Sequence, residues 1–192
     1  QSSGMTPELL ERDDKNKLYA RGPRFRMDAE MIRDNALAVS GLLSLKLGGP
    51  SIRPYQPPGL WESKVGGESV AYEISPGEDR YRRGIYVVWK RTSPYPSFIN
   101  FDATGRNACV VKRSRSNTPL QALTLLNDPV YVEAAAGLAK RVLNEKPQGT
   151  VAERIRHAFI LCLARSPKAS EAAVLERLYR EQLESARQDI ES

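Results

Sequence analysis

Apolar residues recur at helical spacing through the last third of the chain, and turn residues divide that third into separate helices. Thr118-Pro119 places a capping residue before a proline suited to the first helical position, and Gln121 completes a T-x-x-Q capping box. This predicts a short helix through Leu126. Asp128-Pro129 repeats the device and opens a helix over Val130 to Asn144, with Val132, Ala135, Ala136, Ala139, Val142 and Leu143 at helical spacing. Lys146-Pro147-Gln148-Gly149 ends it. Thr150 and Glu153 form a second capping box before Val151, Ile155, Ala158, Phe159 and Cys162, one face of a helix to about Ala164. After Ser166-Pro167, a last helix from Ser170 to about Ile190 aligns Leu175, Leu178, Leu183, Ala186 and Ile190. Short loops between these helices imply an antiparallel bundle.

Upstream, Met31, Ile32, Leu37, Val39, Leu42, Leu43, Leu45 and Leu47 cover most of the circumference of a helix from about Asp28 to Leu47. A helix apolar nearly all round is central and buried. Gly48-Gly49-Pro50, Pro54 to Gly59 and Gly66-Gly67 make the following region irregular, and Ser69 to Ile74 alternates weakly enough for one short strand. Arg83 to Arg91 (RRGIYVVWKR with Arg82) fits strand by β-branching and helix by the spacing of Ile85, Val88 and Trp89. The expected fold is mainly α, with a buried central helix, a Pro/Gly-rich irregular connection holding at most a small β-hairpin, and the C-terminal bundle. One domain over 1–192 is expected, divided into an arm and central helix (1–47), an irregular basic region (48–116) and the bundle (117–192).

Composition narrows the class without naming a function. The 192 residues are 41% hydrophobic and 27% charged, with a mean hydropathy of -0.47, as in ordinary globular proteins. The longest apolar run, Ala36 to Leu47, is too short and too interrupted for a bilayer span. The chain begins at Gln1 and its first methionine is Met5, so it reads as a piece of a longer or processed polypeptide. Cys109 and Cys162 belong to no CxxC or CxxCH pattern, and a bond between them has less support than two buried or half-buried thiols. With His157 as the single histidine, no His/Cys metal site and no covalent haem attachment are expected in this chain.

Charge is concentrated. The net +6 lies wholly in residues 1–115, and Arg80 to Arg115 hold nine basic residues against Asp102 alone, a net +8. Tyr81, Tyr86, Trp89, Tyr95, Phe98 and Phe101 are interleaved with them. Such a pattern suits a polyanion or an acidic partner at Arg80, Arg82, Arg83, Trp89, Lys90, Arg91, Arg113 and Arg115. It also suits nucleic-acid stacking, although no RNA- or zinc-binding signature accompanies it. Buried aromatics among solvated arginines are the plainer reading.

The second chemical candidate is the start of the central helix. Helical spacing sets Arg26 beside Glu30, and Glu30 beside Arg33 and Asp34. Asp28, Glu30 and Asp34 could supply a general acid and base for glycan chemistry. An arginine within reach of each carboxylate favours a structural ion-pair network instead. Ser114 or Ser116 as a nucleophile would depend on His157, and no nucleophile elbow is present. Arg26, Arg33, Asn117, Thr118, Gln121, Asn127 and Asp128 are read as structural polar residues.

Four stretches together resemble a known family: Arg21 to Leu43 (RGPRFRMDAEMIRDNALAVSGLL), Gly48 to Glu62 (GGPSIRPYQPPGLWE), Tyr81 to Leu143 and Glu153 to Glu171 (ERIRHAFILCLARSPKASE). They look like the planctomycete-type domain of unknown function that forms the C-terminal region of large exported proteins. In that family it usually follows a cytochrome c-like domain and a second uncharacterised domain. The resemblance implies a planctomycete or related source, a periplasmic or cell-surface location, and a c-type haem held outside this chain. Its implied partners are the other domains of the parent polypeptide, including a c-type cytochrome; an acidic protein or polyanionic glycan follows from the charge. Its hallmark polar positions match Arg26, Asp28, Glu30, Arg33 and Asp34, then Arg82, Arg83, Trp89 and Lys90, then Asn117 to Pro119, Gln121, Asn127 and Asp128. No reaction comes with the resemblance, and it favours a helix over the Arg82 to Arg91 segment. A non-catalytic structural or interaction module is therefore expected, with a glycan-acting enzyme as the alternative.

Overall fold

The structure is a computed structural model that describes residues 4–22, 25–61 and 71–191, with backbone alone at 190 and 191. Gly66-Gly67, Ser69, Val70 and the side chain of Ile190 lie outside the described residues. Among those described are seven α-helices: α1 Pro7–Arg12, α2 Ala29–Ser40, α3 Pro96–Asn100, α4 Pro119–Asn127, α5 Pro129–Glu145, α6 Val151–Leu163 and α7 Ala169–Glu191. The fold is mainly helical, as the periodicity predicts. Helix α5 packs on α2, α4 and α6, and α7 packs on α6.

The capping residues act where the sequence places them. Thr118 N donates to Gln121 Oε1 at 3.1 Å, and Asp128 Oδ1 accepts from Val130 N at 2.9 Å. Thr150 N donates to Glu153 Oε2 at 2.8 Å while Glu153 N donates back to Thr150 Oγ1 at 3.3 Å. Each such cap contributes about 1 kcal/mol and fixes where its helix starts. The same Thr-Pro signal at Thr6-Pro7 starts α1, which periodicity alone does not reveal.

The central helix is shorter than expected. Gly41 adopts φ 77°, and the amides of Leu42 and Leu43 fold back to Leu37 O at 2.9 and 3.0 Å, a glycine-terminated C-cap. The chain from Leu42 onward is therefore not helical, and Leu45 and Leu47 are exposed. Nor is the helix buried all round: Ala29, Arg33, Leu37 and Ser40 form its sealed stripe, while Met31 is exposed.

The irregular connection contains no strand among the described residues, and its expected hairpin is replaced by two isolated parallel bridges, Ser44 with Arg82 and Ile52 with Val87. Arg82 to Arg91 is not the helix that the resemblance favours. It makes one 3-10 turn at Gly84–Tyr86 and then runs extended, with Ile52 N donating to Tyr86 O at 2.8 Å and Val88 N to Ile52 O at 2.9 Å. Ile52 and Val87 thereby join the core with Ala29, Tyr95, Phe98, Phe101 and Tyr131.

Gly84 is required by closeness. A Cβ there would lie 3.0 Å from Glu30 Cβ and 3.1 Å from the Glu30 backbone, so the irregular segment touches α2 directly. Gly84→Ala is expected to cost about 2 kcal/mol by forcing the two apart. Gly105→Ala, whose added carbon meets only an ordinary 3.5 Å contact, should stay within about 0.5 kcal/mol. Urea denaturation of both variants checks the difference.

Candidate functional site

Of the three carboxylates at the start of α2, Glu30 and Asp34 find partners beyond their own helix. Asp28 is the N-cap residue but makes no side-chain cap bond. Glu30 receives a two-point contact from Arg113, Nη1 to Oε2 at 2.6 Å and Nη2 to Oε1 at 3.0 Å. Asp34 Oδ1 accepts from Gly84 N at 2.6 Å, and Oδ2 lies 3.5 Å from Arg83 Nε. Burial pushes the Glu30 carboxyl up, but the Arg113 hydrogen bonds and charge outweigh it and hold the group below its ordinary value. A carboxylate held ionised in this way does not serve as a general acid at neutral pH.

The expected ladder of Arg26, Glu30 and Arg33 does not form, because neither arginine faces that side. Arg26 precedes the helix, donates to Gln121 Oε1 and lies 5.6 Å over the Phe101 ring. Arg33 turns inward and is 1% exposed. Its Nη1 donates to Arg82 O at 2.7 Å and its Nη2 to Arg80 O at 2.6 Å, and it reaches Asp34 only at 3.9 Å. Arg82, 0% exposed, donates in turn to Pro50 O at 3.0 Å and to Gly48 O, and its guanidinium stacks 4.0 Å over Tyr86. The Nε atoms of both arginines are buried with no hydrogen-bond partner among the described residues.

The basic region is thus divided into internal and surface cations. Arg82 is unavailable to an external polyanion. Arg113 is bound to Glu30, and Lys90 caps Trp61 by donating to its carbonyl at 3.1 Å and lying 4.9 Å over its ring. Arg80 pairs with Glu133 at 3.1 Å beside Tyr81, whose hydroxyl donates to the same carboxylate at 2.6 Å. Arg83 is exposed but pairs with Asp34, and exposed cations without a salt bridge among the described residues remain at Arg91, Arg106, Lys112 and Arg115, with Arg106 over Trp89 at 4.6 Å and Arg115 over Phe25 at 5.9 Å. Tyr95, Phe98 and Phe101 are core residues and cannot act as stacking platforms.

A polar cluster that sequence spacing does not show lies beside Arg33. Burial lifts the Tyr95 phenol well above its ordinary value and pushes those of Tyr72 and Tyr131 up to about 12. Tyr131 shares a 3.1 Å hydrogen bond with Ser97, and the buried Tyr95 hydroxyl has no partner among the described residues. Burial also raises the Asp128 carboxyl, against the hydrogen bond from Val130 and the charge of Arg33. The sequence marks Asp128 only as a cap.

A groove of about 570 Å³ is lined by Pro54, Tyr55, Ile74 and Val130 together with Arg80 and Glu133. None of Asp28, Glu30 or Asp34 lines it. Gln121 is buried between Arg26, Ser116 and Thr118, Asn127 donates to Leu123 O, and Asn117 is exposed. His157 lies 2.5 Å from Glu145 and makes no hydrogen bond to Ser114 or Ser116 among the described residues. Cys109 and Cys162 are free and exposed, not the half-buried thiols expected. Among the described residues, no three of His, Cys, Asp and Glu converge as metal ligands would, and no helix is long and apolar enough to cross a membrane.

These features define a helical module whose irregular half is fastened to its central helix by buried guanidinium groups and paired carboxylates. The chain belongs to the PSD1 family, a protein of unknown function (DUF1553), whose model matches residues 1–179. No curated protein and no solved structure is significantly similar to it.

Two substitutions separate the carboxylates by pH. The depressed Glu30 group stabilises the fold above its unfolded value, ordinarily 4.5, and loses that contribution as pH falls through the folded value. Glu30→Gln should therefore cost about 1 to 3 kcal/mol at neutral pH, and the difference should shrink in acid. The raised Asp128 group has the opposite sign: its favourable contribution is full below 3.8 and is lost as pH rises through the folded value. Asp128→Asn, which keeps a capping oxygen, should gain stability relative to the parent chain as pH rises. Urea midpoints at neutral and acid pH check both.

Proposed function

We propose that the chain is a non-catalytic structural and interaction module of an exported bacterial protein that also carries a cytochrome c-like domain. Its exposed cations meet an acidic or polyanionic surface. Following the resemblance, the parent protein belongs to a planctomycete or a relative and works in the periplasm or at the cell surface. Electron transfer then stays with a haem domain outside these residues.

The observation that carries the module reading is the pairing of the α2 carboxylates. Glu30 is gripped at both oxygens by Arg113, and Asp34 holds the Gly84 amide. Neither opens onto a described groove, and both tie distant segments to α2. This use of charge is architectural. No observation favours glycan chemistry at Asp28, Glu30 and Asp34, and the burial of Tyr95, Phe98 and Phe101 removes three of the six aromatics from nucleic-acid stacking.

The partner half is tested on surface cations alone, because replacing Arg82 would disturb the fold. Arg91→Gln with Arg115→Gln is expected to weaken binding to the parent protein's haem domain about fivefold at low salt. The difference should fade as salt shortens the range of the charges. Titration calorimetry at two ionic strengths measures it, and equal affinities at low salt would contradict the electrostatic half of the reading.

A further inference from the structure

Resting on the polyanion half of that reading, we propose that the groove lined by residues 102–114 binds a saccharide bearing sulfate or carboxylate groups, and that Arg106 is the cation that engages it. The groove holds about 470 Å³, within the range of small-ligand sites, and its lining includes Asp102, Thr104, Arg106, Asn107, Arg113 and Ser114. Two hydroxyl-bearing residues and an amide match the donors and acceptors of a sugar. A concave site of this size takes a protruding anionic ring more readily than a broad acidic protein face.

The charges of the groove are already sorted. Asp102 accepts from Ser116 N at 2.8 Å and from Ser116 Oγ at 2.7 and 2.9 Å, so its carboxylate is satisfied within the loop. Arg113 is committed to Glu30. Arg106 is less committed: it stacks on Trp89 at 4.6 Å, acts on Glu30 through its charge, and has no salt bridge within 4.0 Å among the described residues. Its planar group thus has donors available for an oxyanion.

The backbone gives an independent reason to look at this residue. Arg106 adopts φ 56°, a left-handed conformation that costs a side-chain-bearing residue more than glycine or asparagine. Gly105 and Asn107 flank it, so both cheaper residue types occur next door while arginine occupies the strained position. Local strain of this kind gathers where a side chain has to be presented in one direction. Here the Trp89 ring fixes that direction.

Calorimetry with a chondroitin sulfate hexasaccharide, and with its desulfated form to separate sulfate from carboxylate, tests the site. The chain should bind one or both, and Arg106→Gly should weaken that binding about tenfold. Because glycine relieves the left-handed strain, the same variant should keep its unfolding midpoint within about 2 °C. Arg106→Gln gives the same binding readout should the glycine variant fail to fold. Unchanged affinity in the Arg106 variants, with loss in Arg91→Gln/Arg115→Gln, would overturn the groove and leave the broader electrostatic reading standing. Absence of binding to both saccharides would also overturn it, while the titration against the haem domain would still decide whether the cations serve a protein partner.

Discussion

Arg33 and Arg82 carry their guanidinium groups out of water without a carboxylate in hydrogen-bond contact, and the chain between α2 and α3 is arranged around them. An irregular segment has carbonyls that no helix or sheet ladder satisfies, and leaving them buried and unpaired is costly. A guanidinium offers several donors in one plane and can hold two such carbonyls at once. Arg33 holds those of Arg80 and Arg82, and Arg82 passes the connection on to Gly48 and Pro50. Two stretches that share almost no regular structure, around Arg80 to Arg82 and around Gly48 to Pro50, are thereby fixed to one face of α2.

The rest of the central helix reinforces the same attachment. Glu30 draws in the loop carrying Arg113, and Asp34 holds the turn at Gly84, where the backbones are too close for a side chain. The polar residues at the start of α2 serve as fasteners at successive positions around the helix. Their arrangement accounts for the module reading without invoking chemistry on a substrate. What the fold leaves outward is a smaller set of cations than the charge of the segment suggests, and those are the residues through which a partner can be met.

Local signals were the legible ones. Thr118, Asp128 and Thr150 fix the starts of α4, α5 and α6 because a cap is a contact between residues two or three apart. The end of α2 was hidden because Gly41 sits between apolar residues at helical spacing, and periodicity continued past the left-handed turn that stops the helix. Arg82 to Arg91 eluded both helix and strand because its conformation is set by isolated bridges to Ser44 and Ile52, each thirty-odd residues away. The candidate site was legible by residue and illegible by partner. Spacing paired Glu30 with Arg26 and Arg33, whereas the fold supplies Arg113 from far along the chain. Arginine is so rarely sealed from water that no sequence pattern marks Arg33 and Arg82 as interior residues.

Hydrogen–deuterium exchange of the chain carrying Arg33→Lys tests this account most directly. Lysine keeps the charge but cannot span the Arg80 and Arg82 carbonyls with one planar group. The amides of Ser44, Ile52, Ser75 and Val88, which bond across the irregular connection, should then exchange far faster while those within α5 stay protected. Unchanged protection at those four amides would show that the connection holds its shape without the buried guanidinium, and would contradict the account.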